Sequence, residues 1–302
     1  MSLIVGVDAG GTSTNVVAMR DGAVIATFEG GAANARVASV DGAAETIARA
    51  VSSVLGGERA DAVFVGAAGA GRAAVAAGLR AALEARMPEV RVGVSDDARI
   101  ALRAGVPDGD ALALVAGTGS IACALVGERF TRAGGYGYLL GDEGSGYAIG
   151  AAALRLLLKM YDGRAPRDPM LDRILEVLRV DGPQEVLARL YDASAPVREI
   201  AAIAPIVLET ATAGERSATK IVQAAALDLF EMLKALVRSA GAQNRELPLV
   251  LAGGLLQSNS LLTFLLETRI ANELPFVTPI KQPPRPEYGA LALARALLGE
   301  DA

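Results

Sequence analysis

The sequence contains no histidine and no tryptophan, and Cys123 is its single cysteine. Because histidine is absent, any general base has to be a carboxylate, Tyr, Lys or Cys side chain. One cysteine cannot form an internal disulfide, and it cannot provide a cysteine cluster for zinc or iron–sulfur. We therefore interpret Cys123, which lies in an apolar run, as a small buried hydrophobic residue.

Lysine is scarce as well, and no GxxxxGK phosphate loop is present. The lysines are Lys159, Lys220, Lys234 and Lys281. A bound phosphate would therefore have to be neutralised by backbone N–H groups, hydroxyls, Mg²⁺ or arginine.

Long hydrophobic runs and excess positive charge are also missing. No run of 18 apolar residues occurs, and the chain enters its first apolar segment without a basic leader and cleavage site. The net charge of −5 and the isoelectric point near 5.1 argue against nucleic acid or an anionic membrane as the main partner. We expect a cytoplasmic protein that acts on a small molecule.

The 302 residues are enough for two domains of ordinary size. Hydrophobic residues make up 52% and aromatic residues 4%, which predicts compact cores of Ala, Val and Leu. We expect two lobes with a cleft between them.

The stretch from Ile4 to Val17, IVGVDAGGTSTNVV, is organised around a glycine turn. Apolar residues precede Asp8, Gly10 and Gly11 permit a tight turn, and a hydroxyl-rich run begins at Thr12. Such a turn exposes backbone N–H groups to which phosphate can bind, and Asp8 beside it suits a water-coordinated Mg²⁺. A purely structural hairpin is the alternative.

A second turn of the same type occupies residues 111–127, ALALVAGTGSIACALVG. Here Thr118 and Gly119 lie between two apolar runs. Two such turns about a hundred residues apart favour a bipartite site that holds the phosphates of a nucleoside triphosphate.

The order of the predicted elements indicates an α/β protein. Residues 1–106 read as strands followed by alternating helices and strands, and residues 107–286 repeat this plan with a long helical stretch from 151 to about 241. We expect 1–106 to form the N-terminal lobe, which the helix within 287–302 joins, and 107–286 to form the C-terminal lobe. The pattern Gly69-Ala-Gly71-x-x-Ala74 also outlines a dinucleotide-binding turn, but we prefer a small-residue turn lining the cleft.

Asp96 and Asp97 stand where a predicted strand becomes a helix, with Ser95 as the expected N-cap. Capping of the helix could explain one carboxylate, and the other is free to accept a proton from a substrate hydroxyl. The glycine-rich loop 133–150 is the other dense stretch, and its Leu139, Leu140 and Ile149 predict that it packs rather than forming a surface lid.

Several motifs in this order resemble the N-acetylglucosamine kinase family, which belongs to the superfamily of sugar kinases, actin and heat-shock chaperone ATPases, together with its BadF/BadG-type ATPase relatives. The motifs are DAGGTSTN at 8–15, SDDA at 95–98, AGTGS at 116–120, GGYGYLLGDEGSGY at 134–147, LAGGL at 251–255 and PEYGALALA at 286–294. The resemblance implies a two-lobed actin-like ATPase (ribonuclease H-like) fold, in which each lobe has a mixed sheet with flanking helices around a central nucleotide cleft.

The resemblance also implies residue roles, with ATP and Mg²⁺ as cofactors and a homodimer as the assembly. Asp97 is the expected catalytic base, and Asp8 would hold Mg²⁺ through water. The residues expected to bind the nucleotide are Gly10, Gly11, Thr12, Thr118, Gly119, Ala225, Gly253 and Gly254. The residues expected to contact the sugar, besides Asp97, are Asn34, Gly135, Tyr136, Gly137 and Asp142.

Three departures from the family pattern stand out. Ser13 replaces a frequent basic residue, Tyr136 replaces a frequent Trp, and the zinc ligands of the related bacterial glucokinase group are missing. We expect phosphorylation of the 6-hydroxyl of N-acetylglucosamine, with glucosamine or N-acetylmuramic acid as alternatives. The rivals are a BadF/BadG-type ATPase that drives a protein partner, which Cys123 alone does not support, and a non-catalytic sugar sensor.

Overall fold

The structure is a computed structural model, and it describes residues 2–10, 13–31, 33, 39–192, 196–281 and 285–299. The chain divides into two compact units. Unit 1 comprises Met1–Ala111 together with Gln282–Ala302, and unit 2 comprises Leu112–Lys281. The helix near the C-terminus is thus part of unit 1.

Unit 1 is built on a five-stranded mixed sheet with the strand order β3-β2-β1-β4-β5. Its strands are β1 (Leu3–Ala9), β2 (Ser13–Arg20), β3 (Ala23–Gly31), β4 (Ala62–Ala67) and β5 (Arg91–Ser95). Its helices are α1 (Val40–Leu55), α2 (Ala73–Arg86), α3 (Asp97–Gly105) and α12 (Pro286–Leu297). The strands β1, β2 and β3 are antiparallel neighbours, whereas β1, β4 and β5 run parallel.

Helices cover both faces of this sheet. On one face Val5 and Val7 of β1 belong to the core cluster that includes Ile47 of α1 and Leu79 of α2. On the other face Ile4 belongs to a cluster that includes residues of α3 and α12. The alternation of side chains along β1 thus contributes to two cores.

Glycines allow α12 to approach its neighbours closely. A Cβ on Gly6 of β1 would lie 2.2 Å from the carbonyl oxygen of Glu287, and a Cβ on Gly289 would lie 1.9 Å from that of Ile100 in α3. Neither position can accept a side chain without movement of the backbone. The short spacing keeps the first turn of α12 directly against β1.

Unit 2 repeats the strand order of unit 1 as β10-β9-β6-β7-β8. Its strands are β6 (Ala111–Ala116), β7 (Ser120–Val126), β8 (Arg129–Gly134), β9 (Leu247–Ala252) and β10 (Val277–Lys281). Its helices are α4 (Gly146–Tyr161), α5 (Met170–Leu178), α6 (Pro183–Asp192), α7 (Pro196–Ala201), α8 (Ala204–Thr212), α9 (Arg216–Ser239), α10 (Gly254–Gln257) and α11 (Leu261–Glu273).

The structure corrects several local predictions. The long helical stretch expected over 151–241 is divided into α4 to α9, and Gly163, Gly182 and Gly214 lie at three of the interruptions. The strand β10 was not predicted. Leu139 and Leu140 are 77% and 86% exposed, so the packing expected for them is wrong, whereas Ile149 is buried as expected.

The N-cap of α3 also differs from the expectation. Asp96, not Ser95, is the cap, since its carboxylate accepts a hydrogen bond from the backbone N–H of Arg99 at 3.0 Å. Asp97 is consequently the first residue of the helix.

The predicted α/β fold class is confirmed, with a mixed sheet and flanking helices in each unit. Within the described ranges, no helix combines the length and the apolar character needed to cross a membrane.

Candidate active site

In unit 1, the turn between β1 and β2 brings Asp8 to the end of the first hairpin. Gly10 donates its backbone N–H to the carbonyl of Ser13 at 2.9 Å, and Asp8 is paired with Asn15 across the two strands. Gly11 and Thr12, which the sequence predicts to bind phosphate, lie outside the described residues, as does Asn34. The described part of the turn is thus a closed hairpin that ends beside a carboxylate.

The carboxyl group of Asp8 has an unusual proton affinity. Burial, together with the charges of Asp97 and Glu287, raises its pKa from 3.8 to about 7, while a hydrogen bond with Asn15 opposes the shift. Asp8 and Asp97 were predicted from the sequence, and the structure brings them within electrostatic range of each other. Asp8 therefore favours a nearby cation or a proton at neutral pH.

Glu287 is a member of this carboxylate group for which the sequence predicted no role. It lies in the first turn of α12, it is 9% exposed, and its burial raises its own pKa. Arg285 lies 3.9 Å from it. The available signal was an acidic residue directly after Pro286 at the start of an apolar helix, but its proximity to Asp8 depends on the packing of α12 against β1.

The donor set in unit 1 fits Mg²⁺ of the kind that keeps most of its water ligands. Among the described residues, no group of three or more His, Cys, Asp or Glu side chains is arranged to hold a metal ion. One or two carboxylates plus waters and substrate phosphates are the usual Mg²⁺ environment at phosphate sites. Asp8, whose ionised form is disfavoured by burial and by two neighbouring carboxylates, is the residue here that a divalent cation would stabilise.

In unit 2, the second glycine turn is held by the start of α4. The backbone N–H groups of Gly146 and Tyr147 donate to the carbonyls of Gly117 and Thr118 at 2.8 and 3.1 Å. Ser145 caps α4 by accepting a hydrogen bond from the N–H of Ala148. Thr118 itself remains exposed at the tip of the turn.

The glycine-rich loop that precedes α4 lies against the same turn. The Asp142 carboxylate accepts a hydrogen bond from the N–H of Gly137 at 3.3 Å, and a Cβ on Gly119 would lie 2.8 Å from its Oδ2 atom. Gly135 and Gly137 have φ values of 68° and 91°, which only glycine adopts at low cost. Tyr136 is 66% exposed, and its ring lies 5.7 Å from the Arg132 guanidinium carbon.

A cavity of about 820 Å³ opens beside the second turn, within unit 2. Thr118 and Gly146 form part of its wall, and Gly254 forms another part. Helices α7 and α8 contribute Arg198 and Glu209. Its volume lies in the range of sites for nucleotides and other small molecules.

The other predicted nucleotide residues have different positions. Gly253, with φ of 88°, packs against β6, where a Cβ would lie 2.4 Å from the carbonyl oxygen of Ala116. Ala225 is buried in α9, and its carbonyl contacts Gly144 of the glycine-rich loop. Gly254 lines the cavity, whereas Gly253 and Ala225 do not. The residues that α7 and α8 supply were not predicted, because their sequences carry no glycine or hydroxyl motif.

Solved structures with the same fold include proteins of sugar metabolism. A candidate N-acetylglucosamine kinase from Chromobacterium violaceum is 24% identical, with 97% of this chain and 99% of that chain covered and a TM-score of 0.79. A ROK family glucokinase from Streptomyces griseus, solved with glucose and AMPPNP, is 20% identical, with 97% and 99% covered and a TM-score of 0.60. These likenesses confirm the predicted actin-like sugar-kinase fold.

Curated relatives are similar over long stretches. The N-acetylmuramic acid/N-acetylglucosamine kinase of Clostridium acetobutylicum is 27% identical over 98% of this chain and 99% of its own length. The N-acetyl-D-glucosamine kinase of Dictyostelium discoideum is 29% identical over 68% of this chain and 66% of its own length. The model of the BadF/BadG/BcrA/BcrD ATPase family matches residues 5–294, and the chain therefore belongs to that family.

Proposed function

We propose that the protein is an ATP-dependent amino-sugar kinase that phosphorylates the 6-hydroxyl of N-acetylglucosamine. The observation that carries this proposal is the cavity of unit 2, which combines an exposed glycine-hydroxyl turn at Thr118 with a second glycine turn at Gly254. This combination suits a nucleotide whose phosphates reach the first turn. The names of the Clostridium and Dictyostelium relatives support an amino sugar as the acceptor.

The residues of unit 1 account for the acceptor side of the reaction. Asp97 orients the sugar hydroxyl and accepts its proton as the oxygen attacks the terminal phosphorus of ATP. The bond between that phosphorus and the bridging oxygen breaks, and ADP leaves. Asp96 is occupied as the N-cap of α3, which favours Asp97 as the base.

The first hairpin supports the phosphates. Asp8 would hold Mg²⁺ through water, and Gly10, Gly11 and Thr12 would bind the β- and γ-phosphates through the turn. When bound, Mg²⁺ neutralises the charge that develops on the transferred group. Because the pKa of Asp8 is raised to about 7, binding of Mg²⁺ would compete with binding of a proton.

The residues of unit 2 hold the nucleotide and the sugar. Thr118, Gly119 and Gly254 bind the nucleotide, with Gly253 and Ala225 shaping the backbone around it. Gly135, Tyr136, Gly137 and Asp142, together with Asn34, contact the sugar. We propose that units 1 and 2 are the two lobes expected from the sequence, and that the protein is a homodimer in the cytoplasm.

A coupled ADP-release assay tests the proposal. The assay uses MgATP with N-acetylglucosamine, N-acetylmuramic acid, glucosamine or glucose, and a control without sugar. Release that depends on one amino sugar supports the kinase and identifies its acceptor. Equal release with and without sugar would overturn it in favour of an ATPase, the activity that the family is named for.

Product analysis tests the position of transfer. Phosphorus-coupled NMR of the purified product distinguishes a 6-phosphate from a phosphate at another hydroxyl. A product phosphorylated elsewhere would contradict the proposed 6-hydroxyl while leaving the kinase activity in place.

A further inference from the structure

Two ionisable side chains, Arg198 of α7 and Glu209 of α8, are among the residues that line the unit 2 cavity. Their environments differ. Glu209 forms an ion pair with Arg173 of α5 at 2.6 Å, so its charge is compensated. Arg198 is exposed, and its guanidinium group has no hydrogen bond or ion pair with any residue in the described part of the chain. The uncompensated charge on the cavity wall is therefore positive.

Lys281 is another basic residue close to the cavity, but it is already engaged. Its Nζ atom donates to Oδ1 of Asn259, a residue of the cavity wall, at 3.0 Å, and it lies 3.9 Å from Glu267. The first glycine turn and the second glycine turn contain no basic residue at all. Arg198 is thus the cation in this cavity that is available to an anionic ligand.

The backbone around Arg198 is connected to the second glycine turn by short contacts. The turn is hydrogen-bonded to the start of α4 through Gly146, as described above. One turn further along α4, Gly150 leaves room for α7, since a Cβ there would lie 1.9 Å from the carbonyl oxygen of Ile200. Ala201 also lies beside Gly146, with its carbonyl oxygen 3.4 Å from the position of a Cβ, which is an ordinary van der Waals distance.

These contacts fix α7 against the same helix that fixes the turn. Because Gly150 permits the close approach and Ala201 contacts Gly146, the position of α7 relative to Thr118 is set by packed backbone rather than by a mobile side chain. Only the long side chain of Arg198 has to be ordered when a ligand binds, and guanidinium groups are well suited to phosphate oxygens.

We propose that Arg198 is a nucleotide-binding residue that contacts the phosphate chain of the nucleotide in the unit 2 cavity. The inference rests on the proposed function only in taking a nucleoside polyphosphate as the ligand of this cavity, and it does not depend on which acceptor is phosphorylated. Arg198 provides positive charge to the phosphates, since the glycine turns themselves contain no lysine.

Binding measurements with ADP and with adenosine test this role directly. Isothermal titration calorimetry of the full chain, without sugar and with a chelator to remove Mg²⁺, compares the wild type with Arg198→Ala and Arg198→Lys. Arg155→Ala is the matched control, since Arg155 is likewise an exposed arginine of unit 2 without a partner among the described residues, and it is absent from the cavity wall. A charge-assisted contact predicts that Arg198→Ala weakens ADP binding about tenfold or more and leaves adenosine binding unchanged.

Two further results are expected if the contact is electrostatic. Arg198→Lys should retain part of the ADP affinity, and the decrease in ADP affinity with rising salt should be smaller for Arg198→Ala than for the wild type. Arg155→Ala should match the wild type in both respects.

Three results would overturn the proposal. They are an ADP affinity of Arg198→Ala equal to that of the wild type, an equal loss of ADP and adenosine affinity, and a wild type that binds no ADP. Loss of the proposed sugar kinase activity in the coupled assay, with intact ADP binding and the Arg198 effect present, would overturn only the proposed acceptor chemistry.

Discussion

Asp96 and Asp97 are adjacent in the sequence, yet the fold gives their carboxylates different surroundings. Asp96 is buried and caps α3, whereas Asp97 is the first residue of the helix and interacts electrostatically with Asp8. The sequence predicted Ser95 as the cap, with capping as an alternative role for one of the two carboxylates, because the start of a helix is difficult to place to a single residue from sequence. The structure resolves this in favour of Asp96 as the cap.

Asparagine substitutions separate these two roles. Asp97→Asn should lower kcat about 10²- to 10⁴-fold, the usual contribution of a general base, with little change in sugar affinity. Asp96→Asn is the matched control, because asparagine caps helices as well as aspartate does, and it should keep both stability and most of the activity. Steady-state kinetics and sugar titrations measure these effects. Near-normal turnover of Asp97→Asn would show that another group accepts the proton.

The raised pKa of Asp8 predicts a pH dependence of stability. A carboxyl group with a folded-state pKa near 7 and an unfolded value of 3.8 binds more protons when folded, so its contribution is fully present below 3.8 and is lost as the pH rises through about 7. Relative to Asp8→Asn, the wild type without Mg²⁺ should therefore lose stability between about pH 5 and pH 8, by about 2 to 3 kcal/mol.

Urea unfolding at both pH values, with a chelator present, measures this difference between wild type and variant. Mg²⁺ at saturating concentration should reduce it, because the cation stabilises the ionised carboxylate in the folded state. A difference that stays constant from pH 5 to pH 8 would contradict the shift.

At the level of elements, local patterns predicted the two β-hairpins well, because apolar residues on both sides of a glycine turn are a short-range signal. The subdivision of 151–241 and the strand β10 were missed. The breaks within 151–241 were difficult to predict because the glycines stand in an Ala/Leu-rich sequence that favours helix. The strand β10 has only five residues at a sheet edge, and its apolar and polar residues alternate weakly. The contribution of Glu287 to the Asp8 environment could not be predicted, since it requires α12 to pack against a strand almost 280 residues earlier in the chain.

Alanine substitutions at two helical glycines of unit 1, one in α12 and one in α2, should have opposite effects on stability. Gly289→Ala places a Cβ against the backbone of α3 and should lower the free energy of unfolding by about 1 to 3 kcal/mol, as overpacking usually does. Gly78→Ala lies on the exposed side of α2, where the nearest atom is 3.7 Å from the new Cβ, and it should raise stability by about 0.4 to 1 kcal/mol. Urea midpoints of both variants give the comparison, and equal effects of the two substitutions would contradict the packing argument.

At the level of the whole molecule, unit 1 is assembled from two distant parts of the chain, whereas unit 2 is continuous. One of the two cores of unit 1 joins Ile4 and Phe64 of the sheet with Ile100 of α3 and Leu291 of α12. Unit 2 has a separate core that comprises buried residues between Leu112 and Val277. The stabilities of the two units therefore depend differently on the C-terminal residues.

Deletion of residues 282–302 should affect the two units unequally. Loss of α12 leaves one apolar face of the first sheet uncovered, so unit 1 should lose its cooperative structure, while unit 2 should remain folded and still bind ADP. Hydrogen exchange mapped onto both units, together with ADP titration, measures this outcome. Protection of β1 and β4 at wild-type levels in the shortened chain would contradict the prediction.

The division of unit 1 into two segments also has a consequence for biosynthesis. A ribosome releases the residues of unit 2 well before it releases α12, so unit 2 can acquire its native core while unit 1 still lacks a part of its own. The carboxylate group around Asp8 is likewise incomplete until Glu287 has left the exit tunnel. Unlike proteins whose first domain folds first during translation, this chain is therefore expected to complete its N-terminal unit last.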